Sequence, residues 1–278
     1  MSVRLTVLSD NLTASGACLA EHGWSVWVET PAGRYLFDTG AGHVLLHNAA
    51  ALGVDLGTAE AVLLSHFHYD HTGGLFAALE RTGDVDVHAH PDLFRAGYAA
   101  RSDGPPQFTG IPHSRVALES RGARFRLTDA WARIDEHLSL TGAVPRLTSF
   151  EHVPRRFVLQ GPDGLIHDTL PDDQSAVVQT DRGVLLLLGC CHAGLVNTMN
   201  HVAERTGCTE IHTVIGGTHM AGVSDTQLAE TVKALRRYKV RRFAPSHCTG
   251  LGTTVKLAAA LPDAFVPCGV GIVFTDRA

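Results

Sequence analysis

No apolar run in this 278-residue chain is longer than Val184 to Leu188, far short of the ~20 residues that a bilayer-crossing helix needs. Charge is scarce too: charged residues make up 18% and sum to a net -5. Bulk electrostatic binding of nucleic acid needs a basic surplus to displace counterions, so neither a nucleic-acid partner nor a membrane partner is expected. The cysteines, Cys18, Cys190, Cys191, Cys208, Cys248 and Cys268, include no C-x-x-C pair, which argues against a zinc ribbon or a thioredoxin-type motif. Met1 to Asp10 has no basic start leading into an apolar stretch and a small-residue cleavage site. No signal peptide is read there, and a cytoplasmic, thiol-reduced protein is expected. What the chain does have is 45% hydrophobic residues, enough to bury a sizeable core and to exclude disorder. It also has 17 histidines, where one position in twenty would give about 14. That excess points to metal or proton chemistry.

The first third reads as strands alternating with helices over short connections. Val3 to Leu8, Trp24 to Glu29 and Arg34 to Phe37 have strand character, and His43 to Leu52 reads as a helix. Ala61 to Leu64 is a short buried strand running into a histidine-rich loop, followed by a helix near Leu75 to Arg81. Val85 to Ala89 is a further strand, with a helix predicted from Pro91. Residues 100–160 break the rhythm: Gly104, Pro105, Pro106, Gly110 and Pro112 mark irregular chain, and nine arginines face six acidic residues with no lysine. This stretch, with short strand-like pieces around Arg124 to Leu127 and His137 to Leu140, is predicted to be an inserted loop or flap over the active site of a single domain spanning 1–278. Order returns with a hairpin at Ala176 to Leu188 and helices at Leu195 to Arg205, Asp225 to Tyr238 and Thr253 to Leu261. Strands at Ile211 to Ile215, Arg242 to Ala244 and Ile272 to Phe274 lie among and after them. Two sheets packed face to face with helices outside is the economical arrangement of these pieces.

The chemistry concentrates in His66-Phe67-His68-Tyr69-Asp70-His71, followed by Thr72-Gly73-Gly74-Leu75. At this composition, H-x-H-x-D-H is expected by chance about 0.004 times in the chain, so an incidental cluster is a poor explanation. Two imidazoles two residues apart on an extended segment point the same way, so His66 and His68 can grip one cation while Asp70 and His71 reach a second position. His219 follows a strand across a Gly-Gly turn and is a candidate to protonate a leaving group or hold substrate; His22 is a weaker one. His88 and His90 share the spacing of two but lack an acidic partner, and read as strand packing. His43, His47, His113, His137, His152, His167, His201 and His212 read as ordinary.

The motif, with Leu36-Phe37-Asp38-Thr39-Gly40 upstream, resembles the metallo-β-lactamase superfamily. Further matches run through His22-Gly23-Trp24-Ser25, Gly189-Cys190-Cys191-His192-Ala193-Gly194, Val196-Asn197-Thr198, Ile215-Gly216-Gly217-Thr218-His219 and Pro245-Ser246-His247-Cys248-Thr249-Gly250. These resemble the branch named for 7,8-dihydropterin-6-methyl-4-(ribofuranosyl)aminobenzene 5'-phosphate synthase. The resemblance implies an α/β (α+β) fold, a four-layer αββα sandwich with a one- or two-metal hydrolytic site. It implies His66 and His68 on the first metal, Asp70 and His71 on the second, His192 as a further ligand and His247 closing the second site. Asp38 resembles the buried aspartate that braces the motif loop. Where the superfamily places a bridging aspartate, this chain has Cys190, and the usual preceding histidine is absent. Asp172, Asp173, Cys190 and Cys191 are left as alternatives for those places.

Two divalent ions, zinc with manganese or iron as alternatives, are therefore expected as cofactors. The expected function is a metal-dependent hydrolase that uses a metal-activated water, with Asp70 both binding metal and orienting the nucleophile. Arginine forks pair with phosphate or carboxylate, so Arg155 and Arg156 are candidates to bind an anionic small molecule, a phosphoester first. The alternatives are a lactone, thioester or lactam hydrolase, a pterin-related ribofuranosyl-phosphate transferase (synthase), and a catalytically silent metal-binding sensor. Oligomeric state stays open, with a homodimer among the options.

Overall fold

A computed structural model describes residues 3–276. One sheet runs in the order Val273–Thr275, Arg4–Ser9, Ser25–Glu29, Arg34–Phe37, Ala61–Leu63, Val85–Ala89, Ala123–Leu127. The second runs Arg242–Ser246, Ile211–Gly217, Gly183–Leu187, Ala176–Thr180, Leu138–Leu140, Ala132–Arg133. Successive strand residues face opposite ways, and the sequence uses this twice. Tyr35, Phe37, Ala61 and Leu63 face the second sheet, where they meet Val178, Leu185, Leu187 and Ile215. Leu36, Val62 and Leu64 face outward onto Leu45, Leu75, Ala78 and Leu79 of the helices Leu45–Ala51 and Leu75–Thr82. On the far side Val184, Leu186 and Val214 pack against Met199, Val202 and Leu235 of the helices Leu195–Thr206 and Asp225–Arg237. Burying each valine, leucine, isoleucine, phenylalanine or methionine among these contributes ~1.5–3 kcal/mol. The result is the four-layer helix–sheet–sheet–helix sandwich.

The strands Arg34–Phe37, Ala61–Leu63 and Val85–Ala89 run parallel, as do Gly183–Leu187, Ile211–Gly217 and Arg242–Ser246. Their C-terminal ends lead into Asp38, the histidine motif, Cys190, His219 and His247, which gathers those residues along one rim. Open α/β sheets bind ligands at such rims.

Residues 100–160, predicted as one inserted flap, divide in the structure. Ala123–Leu127 extends the first sheet and Leu138–Leu140 pairs with Ala176–Thr180 in the second. Gly97–Ala99, Gln107–Phe108, Phe157–Gly161 and Gly164–His167 form a separate four-stranded sheet, from which Ala99, Gln107 and Phe157 reach the cleft beside that rim. The helix predicted from Pro91 is a single 3-10 turn, Pro91–Phe94, with His90 Nδ1 accepting from Asp92 N at 3.1 Å. Among the described residues no helix is long and apolar enough to cross a membrane.

A polar tie joins the sheets at Asp135, which accepts from Tyr35 Oη (2.7 Å), Thr30 Oγ1 (2.9 Å), His137 N (2.5 Å) and Leu138 N (2.6 Å). Burial opposes its charge, but these donors win and hold the carboxyl below its usual range. A depressed folded value contributes stability in full above the unfolded value of ~3.9 and loses it as pH falls through that region. Thermal melts from pH 6 down to pH 3 are therefore expected to fall more steeply for the wild type than for Asp135→Asn. Parallel profiles would refute this.

Candidate metal centre

The motif leaves the strand Ala61–Leu63 extended and then coils: Tyr69–Thr72 forms one helical turn, where the sequence reading expected a loop throughout. Thr72 closes the turn, its N and Oγ1 both donating to His68 O, at 3.0 and 2.9 Å. His66 and His68 thus lie on extended chain, with His66 Nε2 2.9 Å from His68 Nδ1. Asp70 and His71 are swung onto a second position.

Asp38 organises the ring tautomers from beneath. It is fully buried and accepts Ser65 N, Ser65 Oγ and His71 Nδ1, each at 2.7 Å. His71 Nε2 is therefore left with a lone pair facing the site. Because Ser65 Oγ gives its proton to Asp38, it accepts from His66 Nδ1 at 2.9 Å, which frees His66 Nε2 in the same way. Gly189 lies against this brace, and a Cβ there would stand 2.2 Å from Ser65 Oγ.

His192 and His247 arrive from the other sheet. Cys191 takes φ 58°, so Cys190 and His192 face the site while Cys191 Sγ turns away to Thr198 Oγ1 at 3.3 Å. Glu151 holds the helix that follows by accepting Val196 N and Asn197 N at 2.8 and 2.9 Å. Gly194 fits beside it at φ 97°, where a Cβ would meet the Glu151 carboxylate at 2.3 Å. His247, at φ 49°, pairs its Nδ1 with Asn11 Oδ1 at 2.9 Å, and its N donates to Asp10 Oδ1 at 3.0 Å. Asp38, Cys191, His219 and His247 are four of the six non-glycine residues with positive φ among the described residues. Strain of this kind collects at functional sites.

Two donor groups result. His66, His68 and His192 converge at one position. Burial, followed by crowding with other histidines, pushes His66 and His192 well below the ordinary imidazole value; burial takes His68 to about 3. All three are thus neutral, as ligands must be. Among the described residues His68 Nε2 and both nitrogens of His192 are buried without a hydrogen-bond partner, a costly state for groups that receive nothing in return. At the second position His247 Nε2 stands 3.2 Å from His71 Nε2 and 3.3 Å from Asp70 Oδ2, and His71 Nε2 stands 3.9 Å from that oxygen. Tetrahedral zinc with bonds of ~2.0–2.1 Å spaces its donors about 3.3 Å apart, so this set fits a metal. Burial would raise Asp70, but hydrogen bonds from His22 and His247 hold it well below the carboxylate range.

The structure brings together His66, His68, Asp70, His71, His192, His247 and His219, whose ring lies 4.3 Å from that of His192. His22 joins them, with Nε2 3.2 Å from Asp70 Oδ2. Arg156 lines the cleft, its guanidinium over the Phe157 ring, whereas Arg155 is exposed outside it. Asp172 is occupied elsewhere by Arg95 (2.7 Å) and Phe67 N (2.8 Å), and Asp173 accepts Ala193 N at 3.0 Å. Sequence reasoning missed Cys248, Asn11 and Asp10. Each stands at a strand end on the same rim, which was the available signal. The site opens into a cleft of about 630 Å³.

The family model for the metallo-beta-lactamase superfamily matches residues 19–247. The chain is 26% identical over 240 residues to a Methanocaldococcus jannaschii protein, covering 83% of this chain and 82% of that one. It is named 7,8-dihydropterin-6-methyl-4-(beta-D-ribofuranosyl)-aminobenzene-5'-phosphate synthase. An uncharacterized protein of the same organism is 30% identical over 257 residues, covering 91% and 93% of the two chains. A solved structure described as a metal-dependent hydrolase of the beta-lactamase superfamily aligns with TM-score 0.84 and 27% identity over 98% of both chains.

Proposed function

The chain belongs to the metallo-beta-lactamase superfamily, and from that premise we propose that it is a metal-dependent hydrolase of phosphoesters or related anionic small molecules. The observation that carries this reading is the convergence of the buried His66, His68 and His192 rings on one position, with neither His192 nitrogen partnered among the described residues, beside the Asp70, His71 and His247 set. His66, His68 and His192 would hold one divalent ion, and Asp70, His71 and His247 the other. Such ions, when bound, lower the pKa of coordinated water toward neutrality and polarise the electrophile.

The protein's own groups supply the rest. Asp38 and Ser65 fix the tautomers of His66 and His71. Asp70 orients the nucleophile, and His219, with a buried unpartnered Nδ1, protonates the leaving group or holds substrate. Arg156 offers a paired-donor fork to an anion, with Phe157 as an apolar wall. The mouth is open to solvent, the His22 side chain being 58% exposed, which disfavours a closed, catalytically silent sensor.

A synthase reading is kept for one reason: the similar M. jannaschii protein carries a phosphorylated ribose in its name. Both readings place a phosphate in the cleft. Chelator-treated protein is expected to lose turnover on a panel of sugar and aryl phosphoesters, and added zinc or manganese to restore it. Phosphate release supports hydrolysis of the ester. Turnover indifferent to chelation would sink the metal reading, and activity confined to lactones or thioesters would overturn the substrate class.

A further inference from the structure

We propose that the Cys190 thiolate is a ligand shared by the two metal positions. The proposal rests on the two-metal reading above and deepens it by assigning a ligand outside the histidine and aspartate set. Cys190 is buried, and its Sγ lies within 4.8 Å of the donor nitrogens of His66 and His71, one from each position. To His71 Nε2 the distance is 3.2 Å. Nitrogen and sulfur donors bonded to one tetrahedral zinc at ~2.0 and ~2.3 Å stand about 3.5 Å apart, so the thiol already has nearly the spacing of a ligand.

Three features aim it there. The backbone reversal at Cys191 puts Cys190 on the same side as His192 and sends its neighbour into the apolar layer under the helix Leu195–Thr206. Gly189 and Gly217 let the loop close down, a Cβ on Gly217 falling 2.5 Å from Gly189 O and 2.6 Å from Cys248 Sγ. The neighbouring His192 has two buried nitrogens without partners, an independent sign that a cation belongs at this spot. Cys248 is the rival thiol. Its Sγ already accepts His219 N at 3.2 Å, and it groups only with Cys190 and His247, whereas Cys190 joins His66, His71, His192, His219 and His247. A thiolate in the shared place biases the centre toward zinc, iron or cobalt over manganese.

The test is cobalt(II) loading of the metal-free full chain, followed by absorption spectroscopy, for the wild type, Cys190→Ser and Cys248→Ser. A thiolate-to-cobalt charge-transfer band in the near ultraviolet is expected in the wild type and in Cys248→Ser, and is expected to be lost in Cys190→Ser. The visible d–d bands should persist in Cys190→Ser. Zinc-edge X-ray absorption of the wild type, which needs no variant to fold, should show a sulfur scatterer at ~2.3 Å. Bound cobalt without a charge-transfer band overturns the thiolate and leaves the two-metal reading standing. A band kept in Cys190→Ser but lost in Cys248→Ser assigns the ligand to Cys248 and also overturns the proposal. A wild type that binds neither cobalt nor zinc removes both readings together.

Discussion

Replacing His68 with alanine is expected to lower turnover by about 10³-fold, ~4 kcal/mol of transition-state stabilisation, and to reduce bound metal from two ions per chain to one. The fold should survive. The His68 ring is buried against Phe157 and His192, and its Nε2 has no hydrogen-bond partner among the described residues. Removing it costs packing but relieves a desolvated polar group, and the two effects oppose each other. The metal-free melting temperature should therefore stay within about 4 °C of the wild type, on the order of 1 kcal/mol for a chain of this size. The metal-loaded forms should differ more. An ion at a thousand times its dissociation constant stabilises by ~4 kcal/mol, and the variant forfeits that contribution at one position. Metal content by elemental analysis, and melts with and without zinc, measure all of this. Full metal content together with wild-type turnover would place the ions elsewhere.

That His68 could be chosen at all shows what local spacing reveals. His66, His68, Asp70 and His71 are legible because a strand and one helical turn fix their relative positions without help from the rest of the fold. His192 and His247 needed the resemblance to a family, since their distance from the motif is closed only when the two sheets pack. Asn11 illustrates the limit: its partner His247 is 236 residues away, and no periodicity in either segment announces the pairing. Arg155 and Arg156 show another. They are the two central residues of a turn closed by Phe157 N donating to Pro154 O at 3.1 Å, and the way that turn enters the strand Phe157–Gly161, which nothing in the Arg-Arg pair announces, leaves Arg156 lining the cleft. The predicted flap divides for a related reason: the strand-like pieces read at Arg124 to Leu127 and His137 to Leu140 are strands, but which sheet each one joins is decided by partners distant in sequence, Val85–Ala89 and Ala176–Thr180. The helices Leu75–Thr82, Leu195–Thr206 and Asp225–Arg237 and the strands Arg4–Ser9 and Ser25–Glu29, with apolar periods of 3.6 and two, match their predicted bounds within a residue or two, whereas Phe157–Gly161, as long as Ser25–Glu29, was not anticipated.

Asp38 carries the other large effect, and the conservative variant is the informative one. Asp38 has φ 53° and no exposure, a backbone conformation that asparagine tolerates as well as aspartate, so Asp38→Asn keeps shape and backbone. Its chemistry does not carry over. The amide oxygen can still accept Ser65 N, but the amide nitrogen then replaces the oxygen that accepted Ser65 Oγ and His71 Nδ1, and donors would face donors. Ser65 must rotate, and His71 must move its proton to Nε2 so that Nδ1 can accept from the amide. With Nε2 protonated, His71 is removed from the second position. Metal affinity there is expected to fall ten- to a hundred-fold, about the effect of losing an orienting partner, with turnover falling alongside. His66, whose Nδ1 also leans on Ser65, should be affected less. Asp38→Ala is expected to be worse in a different way, because it strands three buried donors at ~1–3 kcal/mol each and should destabilise the whole fold. Zinc titration by calorimetry separates the two variants: a folded Asp38→Asn with one weakened binding phase supports the tautomer account. Two unchanged phases would show that His71 is oriented by something other than Asp38.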